Sequence, residues 1–313
     1  MILSTEEIIE YIREYQLSYD ARKARLEKDR RVRRFINLLI NYPRAFRILY
    51  KWKNNPKPLI IIEPEDFSYK DIKLRLLGKI RKNYHFIRDF VYLLLNQYEG
   101  MDDTETSNIN RFLKEALGAG LLEPKEEALF YCLQCNRLLL TESSEETCVC
   151  KNRFDFKFLM TFFPDYIKEE MSLNHLLENF ALHLLKKIKG LRLIGKKLEP
   201  QEEEVYTSIQ YAGIGTGEKE NAELDLLAIK RNFLIFIECK FNETTLSDIN
   251  EFLETSNKLY WRVKEKYPSI EKKKIIFSYD ASKLTPISDF SVISLKDITD
   301  YEDLIRKVRS ELP

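Results

Sequence analysis

The chain has 313 residues, 44% hydrophobic and 32% charged, with 51 basic and 50 acidic side chains and a formal net charge of +1. That composition excludes a disordered or fibrous protein, and the length suits two or three domains with a real core in at least one. Only nine glycines are present, and neither a dinucleotide fingerprint nor an NTPase phosphate loop can be found. His85, His175 and His183 are the only histidines, a poor supply for Ser/His/Asp or Cys/His catalysis.

The first ~55 residues read as helix, with no glycine and no proline before Pro43. Near-neutrality hides an asymmetry. Between Arg13 and Lys57 fourteen basic residues face four acids, whereas between Glu199 and Glu254 thirteen acids face four basic residues. A basic end and an acidic end suggest one part that holds a polyanion and another that holds cations. Candidate phosphate contacts are Arg30, Arg31, Arg33, Arg34, Arg44, Arg47, Lys51 and Lys53, with Tyr42, Phe46, Tyr50 and Trp52 interleaved for stacking. The plainer alternative is a solvated helix face with local pairs such as Glu27–Arg31. A fragment starting near residue 160 is expected to bind nucleic acid more weakly, with a shallower salt dependence.

Leu59 to Ile62 reads as a short strand. Asp71–Leu77, Ile87–Leu95 and Ile109–Leu117 carry helical apolar spacing within a unit spanning 66–127. Its last helix passes through Gly118-Ala119-Gly120 into Leu121-Leu122, which resembles the way recognition helices of winged helix-turn-helix domains enter their wing.

Four cysteines follow: Cys132 and Cys135, then Cys148 and Cys150. Two close pairs on two turns suit a tetrahedral Zn²⁺, closed and structural because no ligand position is left for water. Residues 128–158 resemble a zinc ribbon, with CxC where CxxC is commoner. Disulfides, an iron–sulfur cluster and four unrelated thiols stay open as alternatives.

In the acidic half, Leu224–Ile229 and Phe233–Ile237 read as strands joined by Arg231-Asn232. A hairpin centred on that turn sets Asp225 opposite Glu238, and Glu223 opposite Lys240. Opposed carboxylates on one face repel unless a cation lies between them. Oxygen ligands at this spacing suit Mg²⁺ or Mn²⁺. Lys240, two residues beyond Glu238, shares its face.

This Asp…Glu-x-Lys pattern resembles the PD-(D/E)xK, restriction-endonuclease-like nuclease superfamily. A helix carrying Glu178 precedes it. Strands are expected near Val205–Tyr211, Leu224–Ile229 and Phe233–Lys240, then a helix at Leu246–Lys266, a strand at Lys274–Tyr279 and another near Ser291–Leu295. That αβββαβ order matches the superfamily's core over residues 165–313. The segment is most similar to nucleases associated with CRISPR systems and to archaeal Holliday-junction resolvases. The resemblance implies Asp225 and Glu238 as metal ligands with the Cys239 carbonyl completing the shell. It also implies Lys240 at the attacking water and Glu178 steadying metal or water. Cys239 itself reads as a small buried residue and not a nucleophile.

The expected protein is therefore a multidomain α/β chain. It has a basic helical region (1–65), a helical, winged-helix-like domain (66–127), a zinc ribbon (128–158) and a nuclease domain (159–313). It is expected to be a metal-dependent phosphodiester hydrolase acting on DNA sooner than RNA. The alternative is a non-catalytic nucleic-acid-binding or regulatory protein that uses the nuclease fold only for recognition. Members of the superfamily often act as homodimers on duplexes. The apolar runs 59–62 and 233–237, like every other in the sequence, are far below the ~20 residues of a membrane span. With no signal-peptide pattern at the N-terminus, the expectation is cytoplasmic. The abundance of Lys and Glu with little Gln is similar to the bias of thermophile proteins.

Overall fold

The computed structural model describes residues 4–54, 57–64, 67–80, 85–142, 144, 147–164, 172–196, 204–241, 246–281 and 290–313. Its elements run α1 (Thr5–Arg13), β1 (Gln16–Tyr19), α2 (Ala21–Lys28), α3 (Arg30–Asn41), α4 (Phe46–Asn54), β2 (Leu59–Glu63), α5 (Tyr69–Ile80), α6 (His85–Gln97) and α7 (Asp103–Gly118). Then come β3 (Glu123–Cys132), β4 (Arg137–Glu142), β5 (Phe156–Phe162), α8 (Leu173–Leu185), β6 (Arg192–Leu193), β7 (Ile209–Tyr211), β8 (Ala222–Leu224) and β9 (Leu226–Lys230). The chain finishes with β10 (Phe233–Lys240), α9 (Leu246–Lys266), β11 (Glu271–Ser278), β12 (Ser291–Ser294) and α10 (Tyr301–Glu311). The protein is mixed α/β, with three sheets among the described residues. No described helix is long and apolar enough to cross a membrane.

The chain divides into two compact units, one of residues 1–43 with 171–313 and one of residues 44–170. Boundaries at 65, 127 and 158, read from composition, do not coincide with these units. The reason lies in two amphipathic helices near the N-terminus. Ser4 and Glu7 close a capping box at the start of α1. Its Ile8, Ile9 and Ile12 are buried in one core with Leu227, Leu234, Phe236, Leu259 and Val263. Helix α3 buries Val32, Phe35, Ile36, Leu39 and Ile40 and packs on α8. Residues 159–313 therefore share their core with the N-terminal segment.

The expected helix over the first ~55 residues is broken at β1. The segment Gln16-Leu-Ser-Tyr19 has no continuous apolar face, and Leu17 stays exposed. Its backbone is used instead against β7, with Gln16 opposite Tyr211 and Tyr19 opposite Ile209. The Gln16 amide donates to the Tyr211 hydroxyl at 3.2 Å. Tertiary pairing here overrides local propensity.

The main sheet of the first unit runs β12-β11-β10-β9-β6. Strand β10 is antiparallel to β9 and parallel to β11, and β11 is parallel to β12. Leu234–Ile237 is buried without alternation, as befits a strand covered on both faces, and α8 and α9 pack on β10.

The second unit has a sheet in the order β2-β5-β3-β4. Two side-chain amides satisfy one edge. Gln97 accepts from the Ile60 N–H at 2.7 Å and donates to the Ile60 carbonyl at 2.8 Å. Asn110 does the same for Ile62, at 2.7 and 2.8 Å. Each amide stands in for a strand partner, so β2 is buried with its backbone groups paired. Helices α5, α6 and α7 all lie between β2 and β3 in the chain, and β5 returns to pair with both strands.

Candidate functional site

The hairpin joining β9 and β10 has the register expected from the sequence, from Phe233 opposite Lys230 to Ile237 opposite Leu226. The ladder stops one pair short of Asp225 and Glu238. Asp225 sits at a bend between β8 and β9, and its Oδ2 accepts the Cys239 N–H at 2.7 Å. The bend carries β8 out of the hairpin and into the sheet with β7, where Glu223 lies opposite Gln210. The expected Glu223–Lys240 pair is thereby corrected. Lys240 meets Glu238 at 2.7 Å, and Glu223 receives Lys23 at 2.8 Å.

Asp225, Glu238 and Lys240 line a single cavity of about 400 Å³, together with Glu223, Asp248 and Glu251. Five carboxylates and two ammonium groups, Lys219 and Lys240, face this space. Burial, reinforced by the Asp225 charge, pushes the Glu238 carboxyl up to about 8. Burial also raises Asp225. Desolvation disfavours the Lys240 charge, yet Glu238 and Asp225 outweigh it and hold the ammonium above its ordinary value. An acidic cavity of hard oxygen donors fits Mg²⁺ or Mn²⁺ by the chemistry of its donor set. Cys239 is buried and its thiol is pushed well up by that burial, so it stays a protonated thiol.

Glu178 is buried on α8 and accepts from the Ser208 hydroxyl at 2.8 Å. Burial, then the Asp225 charge, raises it well above the ordinary carboxylate range. Lys23 on α2 approaches the same carboxylate at 3.5 Å and also donates to Ser208. Neither Lys23 nor Ser208 was singled out by sequence reasoning. Their link to Glu178 is 155 and 30 residues long, and no local pattern reports such contacts. Ser208 has φ +51, a left-handed backbone that a non-glycine residue adopts only at a cost.

The basic residues fall in different settings. Arg30, Arg31 and Arg34 are exposed on α3, and Arg31 approaches Asp29 at 3.7 Å. Arg33 donates to the Glu27 carbonyl at 3.1 Å. In the other unit, Arg47 grips Glu105 at 3.0 and 3.2 Å and the Glu99 carbonyl at 3.0 Å. Arg44 lies 3.7 Å from Glu105. Lys51 donates to the carbonyls of Asn96 and Glu99 at 3.1 and 3.4 Å. Arg47 and Lys51 thus serve the end of α6, where carbonyls lack helical partners. The side chain of Lys53 lies outside the described residues.

The four cysteines come together. Their sulfurs all lie within 4.8 Å of one another, and none is in a disulfide. Cys132 and Cys150 are 3.6 Å apart, and Cys135 and Cys148 are 3.3 Å apart. Ligands on a tetrahedron with ~2.3 Å metal–sulfur bonds stand ~3.8 Å apart, so the set fits a structural metal. Each pair is followed by a left-handed residue, Asn136 at φ +58 and Lys151 at φ +65, which turns the chain sharply. The CxC pair makes its turn with the Lys151 N–H donating to the Cys148 carbonyl at 2.8 Å.

No protein-family model matches the chain, and no curated protein matches it. A solved structure, protein VC1899 from Vibrio cholerae, is similar at 13% identity and a TM-score of 0.31 over 97% of this chain. The chain spans 60% of that structure's length, and a likeness of this degree carries no argument about activity.

Proposed function

We propose that this chain is a divalent-metal-dependent nuclease of the PD-(D/E)xK type that hydrolyses phosphodiester bonds, in DNA before RNA. The observation that carries the reading is the convergence of Asp225, Glu238 and Lys240 on one acidic cavity. Asp225 and Glu238, with the Cys239 carbonyl, would hold Mg²⁺ or Mn²⁺. When bound, that ion supplies Lewis acidity toward the phosphate and acidifies a water.

The chain's own groups supply the rest. The Cys239 N–H fixes the rotamer of Asp225 through the 2.7 Å bond. Lys240, paired to Glu238, keeps a full positive charge at the cavity wall. There it favours the extra negative charge that develops on a phosphoryl group under attack. The Ser208 hydroxyl holds the buried Glu178 carboxylate in place at 2.8 Å. Exposed Arg30, Arg31 and Arg34 provide phosphate contacts of the salt-sensitive kind. Structural zinc is proposed for the four thiols. Its loss should melt the turns at Cys132–Cys135 and Cys148–Cys150, which have little core of their own. Purified chain should carry about one zinc, and Cys132→Ser should lose it while keeping metal-dependent cleavage. Wild-type chain with a Cys132–Cys150 disulfide under reducing conditions would remove the zinc claim.

The test is cleavage of circular single-stranded DNA, circular duplex DNA and RNA, each with Mg²⁺, with Mn²⁺ and with chelator. Metal-dependent nicking or linearisation of at least one circular DNA supports the reading. Binding without cleavage of any of the three, in either metal, leaves a recognition module instead.

A further inference from the structure

Lys23 lies in a setting that the proposed chemistry does not require and the sequence did not announce. It comes from α2, in the N-terminal segment, yet its side chain is only 12% exposed. Its ammonium contacts three oxygens from three separate places: Glu178 Oε1 at 3.5 Å, Glu223 Oε1 at 2.8 Å and Ser208 Oγ. Ser208 donates onward to the second oxygen of Glu178. The Ser208 N–H, held at a left-handed backbone, donates to the Asp225 carbonyl at 2.9 Å. Three converging oxygens, two of them carboxylate, are what a small hard cation would need. The ammonium fills that position. Glu223 also lines the cavity with Asp225 and Glu238, so the Lys23 position borders the proposed metal site.

We infer that Lys23 is a built-in cation that occupies what would otherwise be a second divalent site, formed by Glu178, Ser208 and Glu223, and so confines the centre to one metal ion. The inference rests on the nuclease reading and extends it. Lys23 is a positioning residue in this account: it acts through the carboxylates and does not touch substrate. An ammonium carries one charge and cannot be lost to a chelator. A chain built this way keeps one positive charge between Glu178 and Glu223 when the catalytic ion departs, without admitting a competing ion beside it.

The test uses full-length, zinc-loaded chain and Mn²⁺ as the probe, with bound Mn²⁺ counted directly and cleavage followed in parallel. Wild-type chain should take up about one Mn²⁺. Lys23→Met should take up about two, and its cleavage at low metal should fall ~10-fold or more and recover as Mn²⁺ rises. Lys23→Arg, which keeps the charge, should stay at about one ion. If Lys23→Met does not fold in metal-free buffer, millimolar Mn²⁺ should restore a cooperative melt. Lys23→Met that binds the same number of ions as wild type, or that stays unfolded in Mn²⁺ while Lys23→Arg folds, overturns the inference. In either case a wild-type chain that cleaves leaves the nuclease reading standing. A wild-type chain that neither binds Mn²⁺ nor cleaves overturns both.

Discussion

Asp225→Asn and Glu238→Gln chains should fold as the wild type does and lose cleavage by ~10³-fold or more. The metal contributes several kcal/mol to the transition state, and ~4 kcal/mol corresponds to ~10³ in rate. The amide variants are the informative ones. Asp225 accepts the buried Cys239 N–H at 2.7 Å, and alanine there would orphan that donor at a cost of ~1–3 kcal/mol. Asparagine keeps an acceptor and removes only the charge. Stability should hold or rise in Asp225→Asn, because Asp225 is buried and pushed up by that burial, whereas Glu238→Gln also takes the partner from Lys240 at 2.7 Å and should lose some stability. Affinity for uncut nucleic acid should also hold or rise, since negative charge leaves the phosphate path. Melting curves, nucleic-acid binding and cleavage rates check the three parts separately. Wild-type cleavage in either variant would contradict the assignment.

Removing the first 43 residues should abolish folding of the unit that carries the carboxylates. The sequence reading expected a fragment from about residue 160 to fold and merely bind more weakly. The structure gives the N-terminal segment a larger part. Ile8, Ile9 and Ile12 on α1 and Val32, Phe35, Ile36, Leu39 and Ile40 on α3 are all buried. Each buried aliphatic or aromatic side chain contributes ~1.5–3 kcal/mol as an upper estimate. Their joint loss is on the order of 10 kcal/mol, as large as the ~5–15 kcal/mol stability of a whole domain. Glu27 goes with them, and it accepts the N–H groups of Tyr206 and Thr207 at 3.1 and 3.3 Å. A 160–313 fragment should therefore show no cooperative melt and no metal-dependent cleavage. A fragment that melts cooperatively and cleaves would show that residues 1–43 are dispensable to this core.

What was legible in the sequence was mostly local or short in range. Hairpin pairing of Leu226–Lys230 with Phe233–Ile237 followed from two apolar runs and a two-residue turn, and the register is the one observed. Helix α9 spans the expected Leu246–Lys266, because amphipathic spacing over that length leaves little freedom. The cysteine cluster was visible from spacing alone. The bend at Asp225 was not. The apolar run Leu224–Ile229 reads as one strand, but the chain turns there so that Asp225 can reach the backbone of the neighbouring strand. Lys23 was counted as one of fourteen basic residues, though its partners lie 155 and 200 positions away. Arg47 and Lys51 looked like phosphate contacts for the same reason. Sequence reports a charge, and only tertiary packing reports whether that charge is already spent on Glu105 or on a helix end.

The central claim is that Asp225 and Glu238 together hold a divalent cation. Anomalous diffraction from full-length crystals soaked in Mn²⁺ tests it most directly. The account predicts a manganese peak bridging the Asp225 and Glu238 carboxylates, close to the Cys239 carbonyl and absent from Asp225→Asn crystals soaked in the same way. A cavity that stays empty of manganese in wild-type crystals, or an ion bound elsewhere in a chain that still cleaves, would contradict it.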